Sequence, residues 1–134
     1  LFEGTPISAG RGTSMPFELF GRPGLNTEDY TFSFTPVERP GARRPKFKNE
    51  ICQGYDLSQI KAPDYIELEW LSEMYTAANQ VESFFSPFFD KLAGTDKLRK
   101  QLSQGLDTEA IRASWKKDIE SFQGIRAKYL IYAE

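Results

Sequence analysis

Asp64-Tyr65-Ile66-Glu67-Leu68-Glu69-Trp70-Leu71-Ser72-Glu73-Met74-Tyr75-Thr76-Ala77-Ala78-Asn79-Gln80-Val81 is the stretch on which the fold class turns. Leu68, Leu71, Met74, Tyr75, Ala78 and Val81 fall on one stripe at helical spacing, which predicts an amphipathic helix. Asp64 with Glu67 three residues later has the layout of a capping-box variant, and Pro63 stops whatever precedes it. Downstream the helical pattern continues. Ser86-Pro87 supplies an N-cap with proline at the first helical position, and Gly94 closes the short segment Phe88 to Ala93. Thr95 caps a further helix that ends near Gly105. Asp107 and Thr108 then open a last long one. Its buried face is expected to hold Ile111, Trp115, Ile119, Phe122, Ile125 and Tyr129, with Arg112, Lys116, Lys117 and Glu120 facing water. Leu130-Ile131-Tyr132 reads as a short closing strand.

Upstream of Asp64 the texture is different. Gly4, Pro6, Gly10, Gly12, Pro16, Gly21, Pro23, Gly24, Pro36, Pro40, Gly41 and Pro45 all fall there. Proline removes a backbone donor and glycine costs entropy in a helix interior, so this half reads as loops and short strands. Tyr30, Phe32 and Phe34 alternate with Thr31, Ser33 and Thr35 at strand spacing. A second strand is expected within about Lys48 to Leu57, carrying Ile51, Cys52, Tyr55 and Leu57, and a weaker third around Phe17, Leu19 and Phe20. The fold class is therefore α+β: a small mixed or antiparallel sheet from the first half, covered by three to four helices from the second.

The 134 residues suit a single domain, 1–134. Because the chain has no histidine, it holds no Ser-His-Asp triad, no Cys-His dyad and no His-ligated metal of its own. One cysteine, Cys52, permits neither an internal disulfide nor a Cys-rich metal site; next to Gln53 and Gly54 it reads as a buried small apolar group. A formal net charge of -2 argues against a nucleic-acid surface. No apolar run is long enough to span a bilayer, and the first residues lack a signal-peptide layout. An opening at Leu1-Phe2-Glu3-Gly4 without Met reads as a fragment cut from a longer protein.

Chemistry-bearing residues concentrate in Glu3-Gly4-Thr5-Pro6-Ile7-Ser8-Ala9-Gly10-Arg11-Gly12-Thr13. Glycines on both sides of Arg11 allow close backbone approach, while Glu3, the hydroxyls of Thr5, Ser8 and Thr13 and the guanidinium offer directional hydrogen bonds to a polar ligand. A tight structural turn and a ligand loop both fit this pattern. It is not a P-loop, lacking the Gly-Lys-Ser/Thr ending, and it lacks the three glycines of a dinucleotide fingerprint. Glu3, Glu18, Glu28 and Asp29 are the acids in which a glycosidase-type carboxylate pair would be sought. Glu67, Glu69 and Glu73 read as a solvated helix face. The basic run Arg39-Pro40-Gly41-Ala42-Arg43-Arg44-Pro45-Lys46 reads as a solvated loop, with an anion contact as the alternative. Phe84, Phe85, Phe88 and Phe89 read as a core plug, with stacking on sugar as the alternative.

Several collinear motifs together resemble one family. They are Leu1-Phe2-Glu3-Gly4-Thr5, Ser8, Gly10-Arg11-Gly12-Thr13, Pro16-Phe17-Glu18 and Gly21, Phe34-Thr35-Pro36, Cys52-Gln53-Gly54 with Asp56-Leu57, Phe88 to Asp96, Ile111 to Trp115, and Arg126 to Tyr132. The chain is similar over nearly its whole length to the C-terminal domain of the exo-β-N-acetylmuramidase NamZ family, formerly a domain of unknown function. Pro6 stands where that family commonly carries Asn, so no ligand contact is carried over there.

The resemblance implies a parent glycoside hydrolase that releases terminal N-acetylmuramic acid from the non-reducing end of peptidoglycan fragments. Its catalytic carboxylates would lie in an N-terminal Rossmann-like domain outside this chain, so no catalytic residue, cofactor or metal ligand is assigned here and the isolated domain is expected to be inactive. The chain would be an auxiliary domain forming one wall of an interdomain substrate cleft. Its partners would be that catalytic domain and a muropeptide or N-acetylmuramoyl disaccharide, in a periplasmic or secreted location. Substrate-binding residues are expected in Glu3, Thr5, Ser8, Arg11 and Thr13, with Arg11 on the lactyl carboxylate. The competing expectation is a non-catalytic structural or partner-binding module.

Overall fold

A computed structural model describes residues 1–79 and 81–132; the final two positions of the expected domain, 133 and 134, lie outside the described residues. Three strands, β1 (Leu19–Arg22), β2 (Phe32–Phe34) and β3 (Cys52–Asp56), form an antiparallel sheet in the order β1-β3-β2. Leu19 pairs with Asp56 and Phe34 with Cys52, so β3 is the central strand. Among the described residues four α-helices follow: α1 (Glu69–Ala77), α2 (Pro87–Ala93), α3 (Lys97–Ser103) and α4 (Thr108–Arg126). The α+β arrangement expected from the two halves of the sequence is what is observed.

Strand alternation separates two apolar clusters. Leu19, Phe34 and Cys52 point to one side of the sheet, where Met15, Phe32 and Phe47 cover them. Phe20 points to the other and enters the main core with Leu68, Leu71, Met74, Phe84, Phe89 and Ile111. Its ring lies 4.6 Å from Phe2, 5.1 Å from Tyr55 and 5.6 Å from Trp70. Phe84 and Phe85 meet edge to face at 4.9 Å, and Phe89 is buried beside them, so three rings of that run do plug the core while Phe88 is exposed.

Several elements are shorter than the pattern predicts, each for a local reason. Tyr30 is not part of β2: its N–H donates to the Asn26 carbonyl at 2.9 Å, and the ring turns into the main core instead of sharing a face with Phe34. Helix α1 begins at Glu69 rather than near Asp64. Its first amides are taken by carboxylates close by, Glu69 N–H by Glu67 at 3.1 Å and Leu68 N–H by Glu69 at 3.1 Å, so Asp64 does not cap it. Asn79 in the left-handed region (φ 58°) ends the helix, which leaves Val81 exposed and off the stripe. Asp107 caps α4 by accepting from Ala110 N–H at 2.7 Å, as expected; Thr95 Oγ1 accepts from Lys97 N–H at 3.2 Å, but Asp96 holds the N-cap position of α3, and Ser86 precedes α2 without a side-chain cap.

Helix α4 departs furthest from expectation. Ile111 is fully buried and Trp115 half-buried, but Ile119, Phe122, Ile125 and Tyr129 are exposed, Tyr129 by 78%. Amphipathic spacing marks a face that is apolar, and in this chain only the first two turns of that face meet the core. The segment Leu130-Ile131-Tyr132 forms no strand and is exposed.

Polar clamps hold the helices together. Arg99 grips Asp90 with Nε and Nη2 at 2.9 and 2.7 Å, joining α3 to α2. Glu69 accepts from Arg112 Nη2 at 2.7 Å and Nη1 at 3.0 Å, and from Thr108 Oγ1 at 2.6 Å, joining α1 to α4. The expected solvated acid is therefore a helix-to-helix tie. The Arg112 guanidinium, reinforced by Glu67 and Thr108, holds the Glu69 carboxyl well below its ordinary value of 4.5.

Two outcomes are expected. Phe20→Ala should destabilise the fold by about 3–5 kcal/mol, read as a lower urea midpoint at unchanged slope. A carboxyl whose folded-state value is depressed stabilises fully above the ordinary range and loses that contribution as pH falls. Melting temperature should therefore drop between about pH 5 and pH 2, and Glu69→Gln should flatten part of that drop while lowering stability at neutral pH.

Candidate functional site

The loop that carries most of the chemistry is pinned before it reaches its exposed tip. Phe2 anchors it in the core, and Thr5 returns both its N–H (3.2 Å) and its Oγ1 (2.7 Å) to the Phe2 carbonyl. Gly4 has φ 81°, and a Cβ there would stand 2.8 Å from the Phe89 backbone; the Gly4 carbonyl accepts from Ser86 N–H at 2.8 Å. Ser8 then exchanges two backbone hydrogen bonds with Gly21 at 2.8 and 3.1 Å, stitching the loop to β1. Thr13 Oγ1 donates to the Gly10 carbonyl at 2.7 Å and accepts from Met15 N–H at 3.0 Å, closing the turn.

The basic run packs against this turn. Gly12, at φ 91°, allows the approach: a Cβ would meet Pro45 at 2.8 Å and the Val37 carbonyl at 2.7 Å. Lys46 Nζ donates to the Thr5 carbonyl at 2.6 Å and the Ile7 carbonyl at 3.1 Å, and Arg11 Nη2 donates to the Gly41 carbonyl at 3.1 Å. Burial lowers the Lys46 pKa, and the negative charge of Glu3 offsets part of that. The run is solvated as expected at Arg39, Arg43, Arg44 and Lys46, and it also bonds to the loop through Gly41 and Lys46.

Between the two segments lies a cavity of about 460 Å³. Glu3, Ser8, Arg11 and Phe17 line it from one side, and Arg43, Arg44 and Lys46 from the other. Of the five expected site residues, the structure brings Glu3, Ser8 and Arg11 together there. Thr5 and Thr13 do not line it, because both hydroxyls are used to build the loop. Arg43, Arg44 and Lys46, three of the four cations of the basic run, were not among the expected binding residues, although an anion contact was the alternative for that run; its approach to Arg11 depends on a contact across 30 positions.

Two other cavities have a structural account. One of about 840 Å³ gathers Asp29, Glu69, Glu73 and Asp107. Each of these acids already has a partner: Asn26 for Asp29, Arg112 for Glu69, Tyr55 for Glu73 and the α4 amide for Asp107. The other, about 530 Å³, is mainly an apolar groove along Leu92, Leu98, Trp115 and Ile119. Glu3 lines the loop cavity and Asp29 the acidic one, and Glu28 N–H completes the Asn26 turn. Cys52 is buried with its thiol pushed up to about 11, first by burial and then by Glu50, which suits its packing role. Among the described residues, no group of three or more His, Cys, Asp or Glu is placed to hold a metal ion, and no helix is long and apolar enough to cross a membrane.

Comparison with known proteins places this geometry in a family. The model of the family described as exo-beta-N-acetylmuramidase NamZ, C-terminal, matches residues 1–132. The peptidoglycan beta-N-acetylmuramidase NamZ of Bacillus subtilis (strain 168) is 31% identical over 98% of this chain and 35% of its own length. A crystal structure of a DUF1343 family protein from Bacteroides fragilis NCTC 9343 superposes with a TM-score of 0.92 at 40% identity, over 99% of this chain and 38% of that one. The chain thus spans little more than a third of the length of these relatives. Matched from its first loop to the end of its last helix, the chain belongs to the NamZ C-terminal family.

Proposed function

We propose that this chain is the auxiliary domain of a peptidoglycan-recycling exo-β-N-acetylmuramidase and forms one wall of the cleft that receives a terminal N-acetylmuramoyl residue. Family membership supports the reaction class. The observation that carries the site is the cavity in which Arg11, Arg43, Arg44 and Lys46 face a single acid, Glu3. N-Acetylmuramic acid differs from a neutral amino sugar by its lactyl carboxylate, and a guanidinium fork matches a carboxylate in geometry as well as charge. Arg11, exposed at the loop tip, takes that carboxylate in this reading, Glu3 and Ser8 take hydroxyl or acetamido groups, and Thr5 and Thr13 keep the loop in shape.

Bond cleavage is assigned to a catalytic, Rossmann-like domain in the rest of the parent protein, which packs beside residues 1–134. A second reading, a structural or partner-binding module without a part in turnover, draws on the exposed apolar side of α4, where Ile119, Phe122 and Ile125 form a face of the kind that partners cover. Peptidoglycan lies outside the cytoplasm, so the proposed substrate implies a periplasmic or secreted parent.

Turnover of a chromogenic β-N-acetylmuramide by the full-length protein separates the two readings. Arg11→Ala is expected to lower kcat/KM by about 10- to 100-fold at unchanged melting temperature. Unchanged turnover with a lower melting temperature would instead establish the structural module. Mixing this chain with the separate catalytic domain should restore turnover that neither piece shows alone.

A further inference from the structure

Phe17 is held in a conformation that its own side chain disfavours. Its φ is 70°, in the left-handed region that bulky residues avoid and glycine occupies freely. The residue is 73% exposed, so burial does not compensate. The surrounding turn imposes this geometry: Phe17 N–H donates to the Ala9 carbonyl at 2.8 Å, Glu18 N–H to Met15 at 3.3 Å, and the Glu18 carbonyl accepts from Leu57 N–H at 2.7 Å. A glycine would satisfy every one of these bonds without strain. Local backbone strain of this type concentrates at ligand-binding positions.

The ring also has a definite location. It lines the cavity that contains Glu3, Ser8 and Arg11 on the loop side and Arg43 and Lys46 opposite. Cations and hydroxyls select an acidic, hydroxylated ligand, but they do not orient a ring. A pyranose has one face dominated by C–H bonds, and that face packs on the electron-rich face of an aromatic ring, leaving hydroxyls and acidic substituent at the edge. We infer that Phe17 is the stacking platform of this cavity, orienting the apolar face of a hexosamine ring while Arg11 and the Arg43–Lys46 segment take the acidic substituent. The inference rests on the proposed reading of the cavity as an acidic-sugar site and adds the residue that reads the ring itself.

Equilibrium binding of two probes to the full-length protein tests it: N-acetylmuramic acid, and N-acetylglucosamine, which has the same ring without the lactyl acid. Phe17→Ala is expected to weaken both by the same factor, about three- to tenfold, and Phe17→Trp to retain both. Phe17→Gly should weaken both while raising the melting temperature by about 2 °C, because it relieves the backbone. Arg11→Ala should weaken only the acid. If Phe17→Ala leaves both affinities unchanged while Arg11→Ala still weakens the acid, the stacking role is overturned and the acidic-sugar site stands. If the unaltered protein binds neither probe, both fall together.

Discussion

The contact between Phe20 and Phe2 is the constraint on which the rest of the molecule depends. Phe20 sits on β1, Phe2 on the first loop, and the same Phe20 ring touches Tyr55 of β3 and Trp70 of α1 at 5.1 and 5.6 Å. One side chain thereby joins the loop, the sheet and the first helix. The turn from Gly10 to Thr13, exposed at Arg11, inherits its position from this packing, since Phe2, Ile7 and Ser8 behind it are all buried. A polar loop with few apolar contacts of its own is thus carried on a rigid base, which is the arrangement that binding loops require.

The second constraint is electrostatic. A chain with a net charge of -2 nonetheless gathers Arg11, Arg43, Arg44 and Lys46 around one cavity with only Glu3 opposed to them. Like charges are brought together there because backbone carbonyls accept from two of them. Lys46 reaches the carbonyls of Thr5 and Ile7, and Arg11 reaches that of Gly41. For Lys46, whose ammonium burial disfavours, those bonds stand in for part of the lost water; Arg11 stays exposed. Elsewhere two ion pairs, Glu69 with Arg112 and Asp90 with Arg99, bind helices rather than ligands.

Helix α4 shows the limit of periodicity as a guide to burial. Its stripe from Ile111 to Tyr129 is as regular as that of α1, yet only the beginning of it is covered. Apolar spacing reports the direction in which a helix is prepared to bury surface, not whether the same chain supplies the cover. That the chain spans about a third of the length of its relatives is the context in which this uncovered face belongs.

What the amino-acid order determined by itself were the features governed by neighbours in sequence. The change from glycine and proline texture to helical spacing near Asp64, the Asp107 cap, the Gly94 stop and the loop with its glycines around Arg11 are of this kind, because capping, turn geometry and periodicity act over a few residues. Helix α1 starts at Glu69 and not near Asp64; the Glu67 and Glu69 carboxylates take the amides of Glu69 and Leu68. Only the tertiary structure decided that Thr5 and Thr13 serve the loop while Arg43, Arg44 and Lys46 share a cavity with Arg11. It also decided that α4 leaves most of its apolar face open. Those outcomes rest on contacts such as Gly12 against Pro45 and Lys46 against Thr5, between segments more than 30 residues apart. Their free energy comes from close packing and shared desolvation, and neither is encoded in the spacing of residues along the chain.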